Sequence, residues 1–256
     1  MRKFLFLFLV TFVISCSSND EETTNNGNTT PTNLKKPKKI SVYQGNFQGT
    51  GNPMEVYNFQ YDGNKLIKIT ADNYQVIIEY GNLYGNDNTL FSKITETYSN
   101  GYTIYTPEYF TTNSYTNRFG RLNYKTYLNN QLTGTYQRNY SFDTQNRVIS
   151  CAVANIPNSS VGYTYEYDSN NRVIKETQNN GSVKNITYDN KNNVFKNVIT
   201  PFYKNVQGER NNLWLGKIEN NYLTYGNINY SYNYDNEGYP IKIVWNNDYL
   251  TEIIEY

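Results

Sequence analysis

Glu79, Glu96, Glu108, Glu166, Glu176 and Glu219 stand in or beside alternating stretches of the chain. Glycoside hydrolysis needs two carboxylates held roughly 5 to 9.5 Å apart, here in an aromatic-lined cleft, and no spacing in the sequence singles out a couple. Most of these glutamates neighbour Lys, Arg or Thr, the pattern of solvated cross-strand pairs. The 256-residue chain contains no histidine. That removes the usual general base near neutral pH, the Ser-His-Asp and Cys-His nucleophile systems, and the commonest zinc ligand. No catalytic residue is assigned and a non-enzyme is expected; the alternative is a carboxylate-dependent glycoside hydrolase.

The two cysteines are Cys16 and Cys151. Cys151 lies in the apolar strand-like run RVISCAVA, where a thiol behaves as a small hydrophobe. Asp-x-Asn loops supply oxygen ligands of the kind calcium takes, but each turn carries one Asp with no bidentate Glu at a fixed distance. Neither a metal nor a cofactor is expected.

The N-terminus has a basic start at Arg2 and Lys3, an apolar run over 4–14, a small residue and then Cys16. This is the layout of a secretory signal. Eleven residues rise only about 16 Å as a helix, against a hydrocarbon core of roughly 30 Å, so the run is not a membrane span. Val13-Ile14-Ser15-Cys16 resembles the lipobox of bacterial lipoproteins, which implies that the Cys16 thiol is acylated and becomes the mature N-terminus. Asp20, Glu21 and Glu22 resemble the acidic stretch that directs lipoproteins of Bacteroidetes-type bacteria to the cell surface. Residues 17–37 are Asn, Thr, Ser, Pro and charge with a single large apolar residue, Leu34, and cannot offset the entropy of ordering. The expected organisation is a signal peptide over 1–16, a flexible tether over 17–37 and one β domain over 38–256. Lys35, Lys36, Lys38 and Lys39 read as a solvated domain edge.

Twenty-three basic and 22 acidic residues leave a net charge of +1, so no overall field favours nucleic acid. Tyrosine is in excess, with 28 residues against 12 Phe and 2 Trp. It suits a half-buried pleated surface with the ring below and the hydroxyl in water, and equally suits recognition of sugars or proteins.

The elements that must carry these residues recur. The phrase aromatic-x-aromatic-Asp followed by an apolar position appears as FQYDGNKLIKI, YSFDTQNRVIS, YEYDSNNRVIK, ITYDNKNNVFK and YNYDNEGYPIK, with aspartates Asp62, Asp143, Asp168, Asp189 and Asp235. Weaker copies include IIEYGNLYGNDNTLFSKI, with Gly81 in the Asp position, and YTNRFGRLNYKTY, which keeps a turn-like core. In the copy at 163–177, strict alternation puts Tyr163, Tyr165 and Tyr167 on one strand face. Asp168 then accepts backbone N–H bonds as an Asx-turn and the chain returns as a hairpin. Hairpins every 20 to 25 residues must pair edge to edge. The fold class is therefore all-β, an antiparallel meander of about 12 to 16 strands curled strongly toward a barrel or half-closed wrap.

The copies resemble the YD repeats of the Rhs and teneurin type, with Asn171 and Asn146 in the usual glycine place. The whole chain resembles small Bacteroidetes lipoproteins of unknown function described as porin-like in fold. The resemblance implies a structural turn and no catalytic residue. A membrane-spanning porin is disfavoured, because outward-alternating positions are mostly Thr, Asn, Lys and Glu where lipid-facing strands need an apolar band. The segment 197–227 breaks the rhythm and is expected to cover one end of the sheet, with Trp214 in it. The expected protein is a monomeric outer-membrane lipoprotein exposed at the cell surface, held by its lipid anchor. It serves as a non-catalytic scaffold for a glycan or protein ligand, with binding residues unassigned.

Overall fold

The computed structural model describes residues 34–81, 90–112, 115–145, 147–154, 162–200, 219–246 and 249–256, with backbone alone inside 109–119. The chain divides into two units, Met1–Asn33 and Leu34–Tyr256, and every described residue belongs to the second. Cys16, the acidic run and Trp214 lie outside the described residues.

Sixteen strands follow in chain order. They are β1 (Lys39–Gln44), β2 (Glu55–Asp62), β3 (Lys65–Ala71), β4 (Tyr74–Tyr80), β5 (Phe91–Tyr98), β6 (Gly101–Thr112), β7 (Tyr115–Leu128) and β8 (Gln131–Phe142). Then come β9 (Val148–Ala154), β10 (Gly162–Tyr167), β11 (Val173–Gln178), β12 (Val183–Tyr188), β13 (Tyr222–Tyr225), β14 (Ile228–Tyr234), β15 (Pro240–Trp245) and β16 (Leu250–Glu255). Each pairs antiparallel with its sequence neighbours, and β1 pairs with β16 from Lys39↔Glu255 to Gln44↔Leu250, closing a barrel. Closure satisfies the two edges that an open meander would leave unpaired.

Alternation decides which face is inside. On β4, Val76 and Ile78 are buried while Ile77 and Glu79 are exposed. The register carries that choice round the wall, with Val76 opposite Ile69 on one side and Glu96 on the other. The inward set forms one continuous cluster in which Leu66, Ile69, Val76, Ile94, Leu122 and Val173 are at most 1% exposed. At about 1.5 to 3 kcal/mol for each large side chain removed from water, this filled interior is the main stabilising term. The outward set carries cross-strand polar pairs such as Gln60↔Lys68, Glu79↔Lys93, Glu108↔Arg121 and Glu166↔Lys175, interspersed with exposed apolar side chains such as Ile77, Ile149, Ile174, Leu223 and Ile241.

Turns alternate between the two ends. The connections β2–β3, β8–β9, β10–β11, β12–β13 and β14–β15 carry the five aspartates and share one end with the start of β1 and the finish of β16. This is the aspartate end. The opposite rim holds tight turns such as Asn129-Asn130, both at positive φ (49° and 62°) between Leu128 and Gln131, the backbone of a type I′ hairpin that Asn tolerates.

Residues 192–200 reach across the aspartate end from the β12 side of the wall to β3. Leu66 N donates to Ile199 O at 2.9 Å and Ile199 N to Asn64 O at 2.8 Å. Val194 and Val198 are buried, and the Phe195 ring lies 5.6 Å from that of Phe59. The covering element expected over 197–227 thus begins earlier, and its later part includes β13.

Two expectations change. The stretch from Tyr115 runs through Gly120 as continuous strand β7 instead of turning. It is laddered to β6 from Tyr115 and to β8 from Arg121 onward, and a register shift at Glu108/Tyr109 absorbs the irregularity. Lys35 to Pro37, placed by composition in the tether, are bonded to the barrel. Pro37 is fully buried, the Tyr61 hydroxyl donates to its carbonyl at 2.6 Å, and Lys38 N donates to Glu255 O.

Candidate functional site

The sequence-assigned aspartates stand at one end, each on its own connection. Asp168 Oδ1 accepts from Asn170 N (2.9 Å) and Arg172 N (2.8 Å), and its Oδ2 accepts from Arg172 Nε at 2.8 Å. Asp143 repeats this with Gln145 N, Arg147 N and Arg147 Nε, and Asp235 with Glu237 N, Tyr239 N and Lys35 Nζ. Asn171 and Gly238 take positive φ in these loops, where a branched side chain would be strained. The Arg147 backbone N–H holds the Asp143 carboxyl below its usual range. Burial pushes Asp168 and Asp235 the other way, but the bonds from Arg172 and from Lys35 outweigh it, and both are lowered.

Two aspartates differ. Asp62 is exposed and ends β2 opposite Lys65, so Gly63 (φ 57°) and Asn64 make the turn, and no side-chain bond from Asp62 is present among the described residues. Here the loop is one residue shorter and needs no carboxylate. Asp189 starts no local hairpin. Its Oδ1 accepts from Lys191 N and from Asn221 N, so it fastens the β12 exit to the β13 entry across a long insertion. Tyr234, which precedes Asp235, donates its hydroxyl to Asp189 Oδ2.

The tyrosines supply the link between units. At the aspartate end the Tyr167 hydroxyl donates to Val148 O (2.6 Å), Tyr188 to Val173 O (2.8 Å), Tyr80 to Leu66 O (3.0 Å) and Tyr256 to Pro240 O (3.0 Å). Each acceptor opens or nearly opens the returning strand of the preceding hairpin. The cation of that same preceding turn lies over the donor's ring, with Arg147 4.7 Å from the Tyr167 centroid and Arg172 4.8 Å from that of Tyr188. These hydroxyls therefore bond to backbone carbonyls instead of water, which corrects the expectation of a water-facing phenol. Burial accordingly raises the Tyr61, Tyr80 and Tyr256 pKa values above their ordinary value. Nothing in the sequence phrase shows which carbonyl a hydroxyl meets, because the acceptor lies in another copy.

The candidate carboxylates separate into two groups. Glu79, Glu108, Glu166 and Glu219 pair with Lys93, Arg121, Lys175 and Lys196. Glu96 and Glu176 are instead buried, at 3% and 2% exposure, contrary to a solvated-pair reading. They stand on β5 and β11, which are not neighbours; each accepts from one or more tyrosine hydroxyls, and Glu176 also pairs with Lys184 at 3.5 Å. Glu96 accepts hydroxyl bonds from Tyr74 (3.0 Å), Tyr98 (2.7 Å) and Tyr105 (2.7 Å), and Glu176 one from Tyr225 at 3.1 Å. Sequence reasoning missed Glu252, buried on β16. Its place opposite Val42 and Ile243 follows only from barrel closure. Cys151 is buried and its thiol pKa is pushed up by that burial. Among the described residues no cluster of three or more His, Cys, Asp and Glu forms a metal site.

Described residues also form a concavity at the rim. It is a notch of about 330 Å³ at the opposite rim, between the β3–β4 and β5–β6 turns, and includes Tyr74, Tyr98, Asp72, Asn73, Gln75 and Thr97. The Tyr74 and Tyr98 rings lie 5.6 Å apart at 44°. Trp245 sits elsewhere, on the inner face of β15, edge-on to Tyr230 at 5.2 Å.

The geometry defines a closed sixteen-stranded antiparallel barrel with an apolar, aromatic interior and an outer wall of charged pairs interspersed with apolar side chains. No protein-family model matches the chain, and no curated protein matches it. Among solved structures, a porin-like protein from Bacteroides uniformis is 12% identical with a TM-score of 0.49, over 86% of this chain and 96% of that one. A porin-like protein from Bacteroides vulgatus is 11% identical with a TM-score of 0.34, over 86% of this chain and 98% of that one.

Proposed function

We propose that this chain is a cell-envelope lipoprotein held to the outer membrane through Cys16 and exposed at the cell surface. Its barrel stands in water as a non-catalytic binding scaffold for a glycan or peptide. The observation that carries this reading is the spread of charged side chains over the wall. Lys68, Lys93, Arg121, Lys125, Lys175 and Lys242 share the outer face with Glu79, Glu108 and Glu166. A lipid-facing Lys or Arg costs about 2 to 4 kcal/mol at the bilayer midplane and about 0 to 1 kcal/mol near its interfaces, so each of these cations that fell inside the hydrocarbon band would oppose insertion. Spanning would also place the apolar core around an aqueous lumen. The covalent anchor supplies the membrane attachment that the wall does not, since several acyl chains on one residue hold firmly. The chain enters at the aspartate end, leaving the opposite rim for contact.

Fractionation tests it. The full chain should follow the membrane and extract into detergent, and Cys16→Ala should move to the soluble fraction while staying folded by circular dichroism. Retention of Cys16→Ala in the detergent phase would show that the wall itself enters lipid. Proteolytic shaving of intact cells should remove the wild-type protein.

A further inference from the structure

We propose that residues 35–38 form a latch that holds the β1–β16 seam shut, so that closure of the barrel is conditional on the segment that joins it to the tether. Everywhere else in the wall, neighbouring strands are joined by a connection of the chain as well as by their ladder. At the seam, β1 and β16 come from opposite ends of the domain and meet through a six-residue ladder, Lys39↔Glu255 to Gln44↔Leu250. Pairing segments so remote in the chain carries the largest loop-closure entropy. Further ties hold this pair together.

Residues 35–38 reach both sides of the seam. On the β16 side, Lys35 Nζ lies 2.6 Å from Asp235 Oδ2 and 3.4 Å from Glu237 Oε1, both on the β14–β15 connection. The same ammonium stands 5.5 and 5.4 Å from the ring centroids of Tyr239 and Tyr256, which meet edge-on at 5.7 Å. On the β2 side, Lys36 Nζ donates to Gly63 O and lies 5.0 Å from the Tyr61 ring centroid, and the Tyr61 hydroxyl donates to Pro37 O. Lys38 joins both neighbours through its backbone, donating to Glu255 O at 2.6 Å and accepting from Phe59 N at 3.0 Å. The segment thus ties the end of the last hairpins to the first hairpin across β1.

The repeat shows why Lys35 is the working part. Asp143 and Asp168 draw their cation from Arg147 and Arg172, four residues further on. At the corresponding place after Asp235 stands Tyr239, and the cation comes from Lys35, 200 residues away. The last corner is therefore complete only when the N-terminal segment has arrived, so finishing the corner and shutting the seam are one event. Asn197 of the covering segment fastens the same place, its amide donating to Lys35 O at 3.1 Å and to the Tyr239 hydroxyl at 2.8 Å.

A clasp holds the other end of the seam. Ser41 lies between the core residues Ile40 and Val42 and so faces outward, and Thr251, paired with Tyr43, shares that face, yet the two are 5% and 0% exposed. The β1–β2 connection folds back over Thr251, with Phe47 N donating to its Oγ1 at 3.1 Å and that hydroxyl donating to Gly45 O at 2.7 Å. Phe47 stacks on Tyr43 with centroids 3.7 Å apart, and Lys242 Nζ on β15 donates to Asn46 Oδ1 and Phe47 O. Fraying of a short ladder starts at its ends, and both ends of this one are held.

Amide hydrogen exchange read by mass spectrometry on the full-length protein in detergent tests the latch. Lys35→Ala should quicken exchange in β1 (39–44) and β16 (250–255) about tenfold, the worth of a lost charge-assisted bond, and leave the β10–β11 hairpin (162–178) unchanged. Lys35→Arg keeps the cation and should keep the seam slow. Arg172→Ala removes the same kind of corner cation from Asp168 and should do the reverse, quickening 162–178 while the seam stays slow. If Lys35→Ala does not fold, Lys35→Met, which keeps an apolar stem beside the two rings and loses only the charge, makes the same comparison. Exchange that quickens uniformly round the barrel in the Lys35 variants, a seam that stays slow in them, or a seam opened equally by Arg172→Ala overturns the latch.

Discussion

Replacing Asp168 by Ala removes three acceptor contacts at once. Two backbone N–H groups, of Asn170 and Arg172, lose the carboxylate at 2.9 and 2.8 Å, and Arg172 Nε loses its partner at 2.8 Å. Asn170 is exposed and rebinds water, so its share is small. The Arg172 amide is half-buried, and losing a side-chain cap of this kind costs about 0.5 to 2 kcal/mol. The charge-assisted bond adds at the low end of about 1.5 to 3 kcal/mol, because both side chains are partly solvated, at 27% and 18% exposure, and screening reduces exposed pairs. Arg172 also spans to the next unit, donating to Asn220 Oδ1 at 3.1 Å and lying over the Tyr188 ring. Freed from Asp168 it loses that orientation.

The sum is about 2 to 3 kcal/mol, which for a domain of this size lowers Tm by about 4 to 10 °C. Asp168→Asn, which keeps Oδ1 as an acceptor and loses the charge, should cost about half as much. Asp62→Ala is the internal control. It occupies the same place in the repeat phrase, yet its hairpin turns on Gly63 and Asn64, so a change within about 0.5 kcal/mol is expected. Thermal and urea unfolding followed by circular dichroism measure all three. Equal losses for Asp62→Ala and Asp168→Ala would refute the reasoning, since position in the phrase would then matter and the hydrogen bonds would not.

Tyr188→Phe deletes the bond to Val173 O but keeps the ring under Arg172, and should cost about 1 kcal/mol by urea denaturation; no loss would mean the hydroxyl is not a tie between units. Stability should also depend on pH at both extremes. Asp143, Asp168 and Asp235 have folded pKa values below the ordinary carboxylate value, so the stability they contribute is complete above about pH 4 and falls as pH drops through their folded values. Tyr61, Tyr80 and Tyr256 have raised values, so their contribution is complete below about pH 10 and is lost as the phenols ionise above it. A Tm profile that stayed flat below pH 4 in the wild type, or that kept its acid limb in a variant with all three aspartates changed to Asn, would contradict this.

The strands and several of the corners were readable locally because their causes are local. Tyr163, Tyr165 and Thr164 alternate by the geometry of the pleat, and Asp168 closes its loop on atoms two and four residues away. Asn171 tolerates the positive φ by itself. The covering segment was partly readable, since its loss of rhythm signals a break, but Ile199 pairs with Lys65, a residue remote in the chain. The stretch around Gly120 misled, because a turn-like composition yields to a strand when a neighbouring strand supplies ladder partners on either side of it, Tyr109 to Phe119 and Glu108 to Arg121. Glu96 was misread for a related reason. Its sequence neighbours are Thr95 and Thr97, whereas the three hydroxyls that make its burial tolerable come from the same strand, the one before and the one after.

By itself the sequence determined the all-β class, the hairpin unit, the charged outward positions and the absence of histidine chemistry, each a property of residues within a few positions of one another. Tertiary structure decided that β1 meets β16, that the tyrosine hydroxyls tie one hairpin to the next, and that Glu96 sets two rings at a rim notch. Those depend on distances between remote segments, and such distances are fixed only when the last strand finds the first.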